Sequence, residues 1–363
     1  MKLLWLANIP SPYRVDFFNE LGKYCDLTVL FEKRLSNKRD ASWKKFRIEN
    51  FNAVFLKGIS VGSASAFCVD VNKYLKKNIY DHIIVSNFSD ITGIMAIVSM
   101  RMNRIPYMVE SDGGFAGNGK GPKERLKRWL LKGAKAYFST AKDHDEYYLT
   151  YGASKERLIR YPFTSLWGKD VLSAPISETK KKELKSKLGI REPKSIVAVG
   201  QFIHRKGFDV LINAMARINS DVGCYIVGGI PTDDYIGLVN DLNLKNIHFV
   251  GFKSKAELAE YYMAADLFVH PTREDIWGLV VNEAMAKGLP VVTTDRCVAG
   301  RELITSDEYG RIVPVGDHEA LASKISEVLC ELSVEQSSII LEKAREYTFE
   351  KMVECHISVL EKM

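Results

Sequence analysis

Short apolar runs alternate with segments of helical period along most of the chain. Lys2–Ala7 reads as a first strand, and an amphipathic helix carrying Phe17, Phe18 and Leu21 follows the proline-rich turn at 8–14. Leu27–Phe31, His82–Ser86, Tyr107–Glu110, Tyr137–Thr140 and Leu158–Phe163 continue the strand series. Periodicity then lapses over 164–187, which ends in a lysine-rich run that reads as a solvated helix face. A second series starts at Ser195–Phe202, followed by a helix with Leu211, Ala214, Met215 and Ile218 at i, i+3, i+4 and i+7. Its strands are Cys224–Gly229, Ile247–Phe252, Leu267–His270, Pro290–Thr294 and Gly310–Pro314; helices are expected at 256–264, 278–287, 297–302, 319–332 and 335–347. The alternation predicts an α/β protein built from two doubly wound parallel sheets. The change of domain is expected between Phe163 and Ser177, giving domains 1–168 and 169–348, with an apolar-faced tail at 349–363.

Composition changes this picture little. A chain of 363 residues, 46% hydrophobic and 26% charged, fits two globular domains. The apolar stretch Leu3–Ala7 is too short for a signal-peptide core, and Ile91–Met100 falls short of the roughly 20 residues that span a bilayer. Six cysteines lack metal-ligand spacing and read as the reduced thiols of a cytoplasmic protein. A net charge of +6 does not support a nucleic-acid partner.

Candidate chemistry concentrates in the second half. The loop Thr272–Trp277 lies between a strand's carboxyl end and a helix's amino end, where parallel sheets hold ligands and helix N–H groups attract anions. Asp275 and Glu283 bracket it, and an acid inside the helix, as Glu283 is, suggests a ligand. After the strand ending at Gly200-Gln201, the loop His204-Arg205-Lys206-Gly207 opens a helix and suits a diphosphate. Gly228 and Gly229 end the next strand and permit close backbone approach. In the first half no G-x-G-x-x-G follows the first strand, which counts against a dehydrogenase. Glu110, Asp112 and a glycine pair end one strand, and Arg14 in the first turn either meets an acceptor phosphate or fixes the turn. The run 120–135 reads as a basic helix, with Lys123, Lys127 and Arg128 on one side and Leu126, Trp129, Leu130 and Gly133 on the other. It can rest on an anionic membrane surface or pack into its own domain. Asp143-His144-Asp145 matches a metal-binding pattern but reads as a solvated helix start.

Asp275, seven residues, Glu283, then Ala284-Met285-Ala286-Lys287-Gly288-Leu289-Pro290 resembles the donor-binding signature of retaining glycosyltransferases of the GT-B fold, family 4. The resemblance implies two Rossmann-like domains facing across a cleft, the last helix returning to the first domain. It also implies transfer of a sugar from a nucleoside-diphosphate donor, expected to be a UDP-sugar, to a glycan or lipid-linked hydroxyl, with the anomeric configuration retained. Glu283 would hold the ribose. Asp275 stands where the family has glutamate against the sugar, one methylene short, with Glu274 as a substitute. Lys206 takes the place of the diphosphate lysine, and Arg205 supplies the second charge where this chain has Gln201. Ile276, Trp277, Gly278, Leu279 and Val280 would surround the donor, with N–H groups of 277–279 on the diphosphate. Phe252 and Lys253 would meet the nucleobase, Phe252 being equally readable as core. Glu110 stands where many members have a histidine, as a donor contact, a proton acceptor or a hydrogen-bonded loop acid. No cofactor or metal is expected. A catalytically silent nucleotide-sugar-binding subunit and an epimerase of the same fold are the alternatives.

Overall fold

The computed structural model describes residues 1–34, 47–61, 63–115 and 121–363. Contacts divide it into two units: Met1–Ser165 with Thr348–Met363, and Leu166–Tyr347. In the first unit the strands are β1 (Lys2–Ala7), β2 (Asp26–Phe31), β3 (Asn52–Phe55), β4 (Ile59–Val61), β5 (Ser65–Phe67), β6 (His82–Val85), β7 (Met108–Glu110), β8 (Tyr137–Ser139) and β9 (Leu158–Arg160). Among the described residues, seven of them form a parallel sheet in the order β3-β2-β1-β6-β7-β8-β9, while β4 and β5 pair antiparallel. The reversal of strand order beside β1 is a topological switch point, so the loops after β1 and β6 flank a natural site. β1 is buried from Leu3 onward, as a strand covered on both faces must be.

The tail supplies part of that cover. Thr348 caps the helix Phe349–Leu360, which buries Phe349, Met352, Val353, His356 and Leu360. His356 stacks on Phe138 with centroids 4.5 Å apart and lies against Trp5 and Phe17. Burial pushes its imidazole down to about 3, so it serves as a neutral aromatic plate.

Glu32 follows β2 and is buried, accepting from the Ala66 N–H at 2.7 Å and from the Asn87 amide. Burial pushes its carboxyl up to about 7, aided by the charge of Asp90 and opposed by those two hydrogen bonds. The folded chain therefore holds this proton to higher pH than the unfolded chain. Stability falls as pH climbs from the ordinary carboxylate range to about 7 and levels off above it. Asn87 Oδ1 is buried without a partner, so a flipped Asn87 amide would accept from an N–H or O–H at position 32. Glu32→Gln is accordingly expected to stabilise the protein by about 1–2 kcal/mol at pH 8 and by little at pH 5; urea titrations at the two pH values check this.

The second unit has β10 (Lys194–Val199), β11 (Val222–Val227), β12 (Ile247–Val250), β13 (Leu267–His270), β14 (Val291–Thr294) and β15 (Gly310–Val313), paired parallel in the order β12-β11-β10-β13-β14-β15. The order reverses beside β10, so the loops after β10 and β13 flank its switch point. The helices Phe208–Met215 and His318–Glu331 pack together over one face around Phe208, Leu211, Ile325 and Val328. Ile218, expected on the first of these, lies beyond its end.

The basic helix spans Pro122–Lys132; Lys120 lies outside the described residues. Leu130 and Leu131 are buried in the first unit's core, whereas Leu126 and Trp129 are exposed. Lys127 turns inward over the Tyr151 ring, 5.0 Å from its centroid, rather than joining an outward basic side. The solvent face presents Lys123, Arg125, Leu126, Trp129 and Lys132. His144 is buried against Tyr148, and Asp145 pairs with Arg160 at 2.7 Å, so the 143–145 segment is packed rather than solvated as expected. Among the described residues no helix is long and apolar enough to cross a membrane.

Candidate functional site

Two loops of the second unit meet at the switch point. After β10 the chain makes a single 3-10 turn, His204–Lys206, then enters the helix Phe208–Met215 through Gly207. Gly207 has φ +68°, and a Cβ there would come within 2.0 Å of the Pro271 carbonyl oxygen, so only glycine lets the two loops approach this closely. Gly228 plays a similar part: a Cβ would meet the Gly200 carbonyl oxygen at 1.7 Å.

Side chains and backbone then lock the loops together. The Arg273 N–H donates to the Arg205 carbonyl at 2.8 Å, and the Arg273 guanidinium grips Asp209 in two bonds of 2.8 and 2.6 Å. Thr272 Oγ1 donates to the Arg205 carbonyl at 3.0 Å. The pattern of the sequence pointed to neither Arg273 nor Asp209; an arginine in one loop and an aspartate on the next helix carry no periodic signal.

At the centre lies Asp275. Its Oδ2 accepts from Lys206 Nζ at 2.5 Å and from His270 Nε2 at 3.0 Å, and its Oδ1 faces Arg205 Nη1 at 3.3 Å. Burial alone would raise this carboxyl, but the His270 hydrogen bond and the Lys206 charge outweigh it and hold it well below the usual range. Asp275 is thus an anion and can only accept, which fixes the His270 proton on Nε2. His270, buried at the end of β13, has its own pKa lowered by burial and stays neutral. Sequence reading missed it; the signal was a polar residue closing an otherwise apolar strand.

The other predicted residues distribute as follows. Glu274 is turned to Arg296, at 2.9 Å, while its carbonyl accepts from Arg205 at 2.7 Å. Ile276 is exposed, and Trp277 is buried with its indole N–H on Asn282 Oδ1 at 2.7 Å. Gly278, at φ +104°, starts the short helix Leu279–Met285, with Leu279 and Val280 half-buried in its first turn. Glu283 lies one turn further along and accepts from the buried Tyr262 hydroxyl at 3.2 Å. Gly200 and Gly229 are half-buried beyond β10 and β11, and Gln201 is exposed. Phe252 is 61% exposed beyond β12, which rules out the core reading; Lys253 follows it, 3.8 Å from Glu257.

In the first unit the expected residues Arg14, Glu110 and Asp112 also come together. Arg14 Nη2 donates to Glu110 at 2.7 and 2.9 Å and bonds Asp112. Glu110 is fully buried and also accepts from Ser86 Oγ at 2.6 Å and from the Tyr161 hydroxyl. Tyr13 donates to Asp112 at 2.6 Å, and the Trp5 indole donates to Ser86 at 2.6 Å. Of the readings open for Glu110, this geometry is that of a hydrogen-bonded acid. Arg14 is buried at the third position of the helix Pro12–Leu21 and reaches carboxylates of its own unit, so it is not the turn-fixing surface arginine that the sequence also allowed.

Residues 180–346, which lie within the second unit, match the family model "Glycosyl transferases group 1". The lipopolysaccharide core biosynthesis mannosyltransferase LpsB of Rhizobium meliloti (strain 1021) is 35% identical over 155 residues, covering 39% of this chain and 43% of that protein. A Campylobacter jejuni N-acetylgalactosamine-N,N'-diacetylbacillosaminyl-diphospho-undecaprenol 4-alpha-N-acetylgalactosaminyltransferase is 27% identical over 161 residues, 44% of each chain. The chain thus spans about two-fifths of the length of the curated relatives it matches. Anabaena HepE, crystallised with UDP, superposes over 100% of both chains with TM-score 0.77 at 18% identity, and the shared fold is GT-B.

Proposed function

We propose that this chain is a metal-independent glycosyltransferase. It moves a sugar from a nucleoside-diphosphate donor, a UDP-sugar, to a hydroxyl of a glycan or lipid-linked acceptor in surface polysaccharide assembly, retaining configuration. One observation carries the reading: Lys206 and Arg205 converge on Asp275 at the switch point of the second sheet, in the loop that leads into the helix bearing Glu283. Two fixed cations at strand carboxyl ends suit a diphosphate, whose negative charge grows as the sugar departs. The Lys206 ammonium, the Arg205 guanidinium and first-turn N–H groups around 277–279 stabilise that leaving group, and Glu283 binds the ribose. The names of LpsB and the undecaprenol-diphosphate relative support a polysaccharide or lipid-linked acceptor, and the UDP complex of HepE supports the uridine donor.

The solvent face of Pro122–Lys132 rests on an anionic membrane surface at the cytoplasmic side: Trp129 and Leu126 sit among Lys123, Arg125 and Lys132, a mixed aromatic and basic face suited to headgroups.

The test is release of UDP from a UDP-sugar dependent on a lipid-linked glycan acceptor, with the anomeric configuration of the product read by NMR. Because two side-chain cations supply the charge, a chelator is expected to leave the rate unchanged. Loss of transfer on chelation, restored by a divalent ion, would contradict metal independence.

A further inference from the structure

We propose that Asp275, held by His270, is an internal counter-ion for the diphosphate-binding cations and makes no contact with the transferred sugar. The inference rests on the nucleotide-sugar reading above. Oδ2 is filled by Lys206 at 2.5 Å and His270 at 3.0 Å, and Oδ1 is directed at Arg205. The backbone gives the side chain no slack: the Asp275 N–H donates to the Arg296 carbonyl at 3.0 Å, and its carbonyl accepts from the Val298 N–H at 3.2 Å. A short carboxylate on so fixed a backbone reaches Lys206 and stops there.

His270 makes the arrangement costly to leave. Its ring is fully buried, its Nδ1 has no partner, and its single N–H is spent on Asp275. A carboxylate that swung toward a sugar hydroxyl would leave that N–H unsatisfied in the interior. Asp275 therefore neutralises Lys206 before the donor arrives, shares it while the diphosphate is bound, and reclaims it as the nucleotide product leaves. It weakens the hold on the product, whereas a sugar contact would strengthen the hold on the donor.

The experiment uses the nucleoside diphosphate, among UDP, GDP and ADP, that binds the full-length protein, and its corresponding nucleotide-sugar. Asp275→Asn keeps the shape and removes the charge. It is expected to tighten the nucleoside diphosphate about tenfold, because one nearby negative charge is gone, while the affinity ratio between nucleoside diphosphate and nucleotide-sugar stays at its wild-type value. His270→Leu is expected to shift nucleoside diphosphate affinity in the same direction by about threefold, and His270→Gln, which restores an N–H donor, to return it to the wild-type value. Unchanged nucleoside diphosphate affinity with a collapsed ratio in Asp275→Asn would identify a sugar contact and overturn the proposal. His270→Leu binding as wild type would overturn the role given to His270. A wild-type protein that binds none of the three defeats the nucleotide-sugar reading itself, and this inference with it.

Discussion

Lys206→Ala is expected to lower kcat/KM for sugar transfer by about 100- to 1,000-fold while leaving the fold intact. Lys206 Nζ sits 2.5 Å from Asp275 Oδ2, with its stem along Gly200. Removing it leaves Arg205 alone to balance Asp275, so a cluster of net positive charge becomes neutral where a diphosphate must bind and depart. The loss falls on both binding and the chemical step, because charge on the leaving group increases toward the transition state. Lys206→Arg restores charge but not the compact ammonium, and is expected to recover only part of the rate. Steady-state kinetics with far-UV circular dichroism check this; a loss under threefold would show that Lys206 is not at the diphosphate.

The second large effect concerns stability. Arg14→Met is expected to cost about 3–5 kcal/mol at pH 8, since it strands a fully buried carboxylate at Glu110 beside Asp112. Burial already raises the Asp112 carboxyl and the Arg14 charge opposes that rise, so without Arg14 the variant's native state binds more protons than its unfolded state. Its stability must then fall as pH rises, and the deficit against wild type should be smaller at pH 5 than at pH 8. Urea denaturation at both pH values checks the sign. An equal loss at the two would show that Arg14 acts by packing alone, through its contacts with the Tyr13 and Phe163 rings.

What could be read from sequence followed from burial on both faces. β1, β10, β11 and β13 are largely apolar runs because helices cover both sides of a parallel sheet; β1 and β13 have the bounds their pattern gave, while β10 and β11 end at Val199 and Val227, short of the expected Phe202 and Gly229. β3 went unseen: it is an edge strand whose residues are half-buried at most, so the alternation is weak. The pair β4 and β5 was missed too, with β4 exposed along its length.

At the site, Lys206, Arg205, Asp275 and Glu283 were legible because loop glycines and helix spacing mark them. His270, Tyr262, Ser86 and Tyr161 were not, because each acts through a partner on another strand or helix, and pairing across the fold leaves no local trace. The side of the basic helix on which Lys127 lies was likewise set by Tyr147 and Tyr151, residues of a later segment.

The most direct test of the donor assignment is a thermal-shift comparison of UDP-, GDP- and ADP-sugars on wild type, Lys206→Ala and Glu283→Ala. A ligand at about 100 times its dissociation constant stabilises the folded state by about 2.7 kcal/mol, enough to raise Tm by several degrees. UDP-sugars are expected to raise the wild-type Tm, and both substitutions to abolish the shift. A UDP-sugar shift retained in full by both variants would place the donor elsewhere and contradict that assignment.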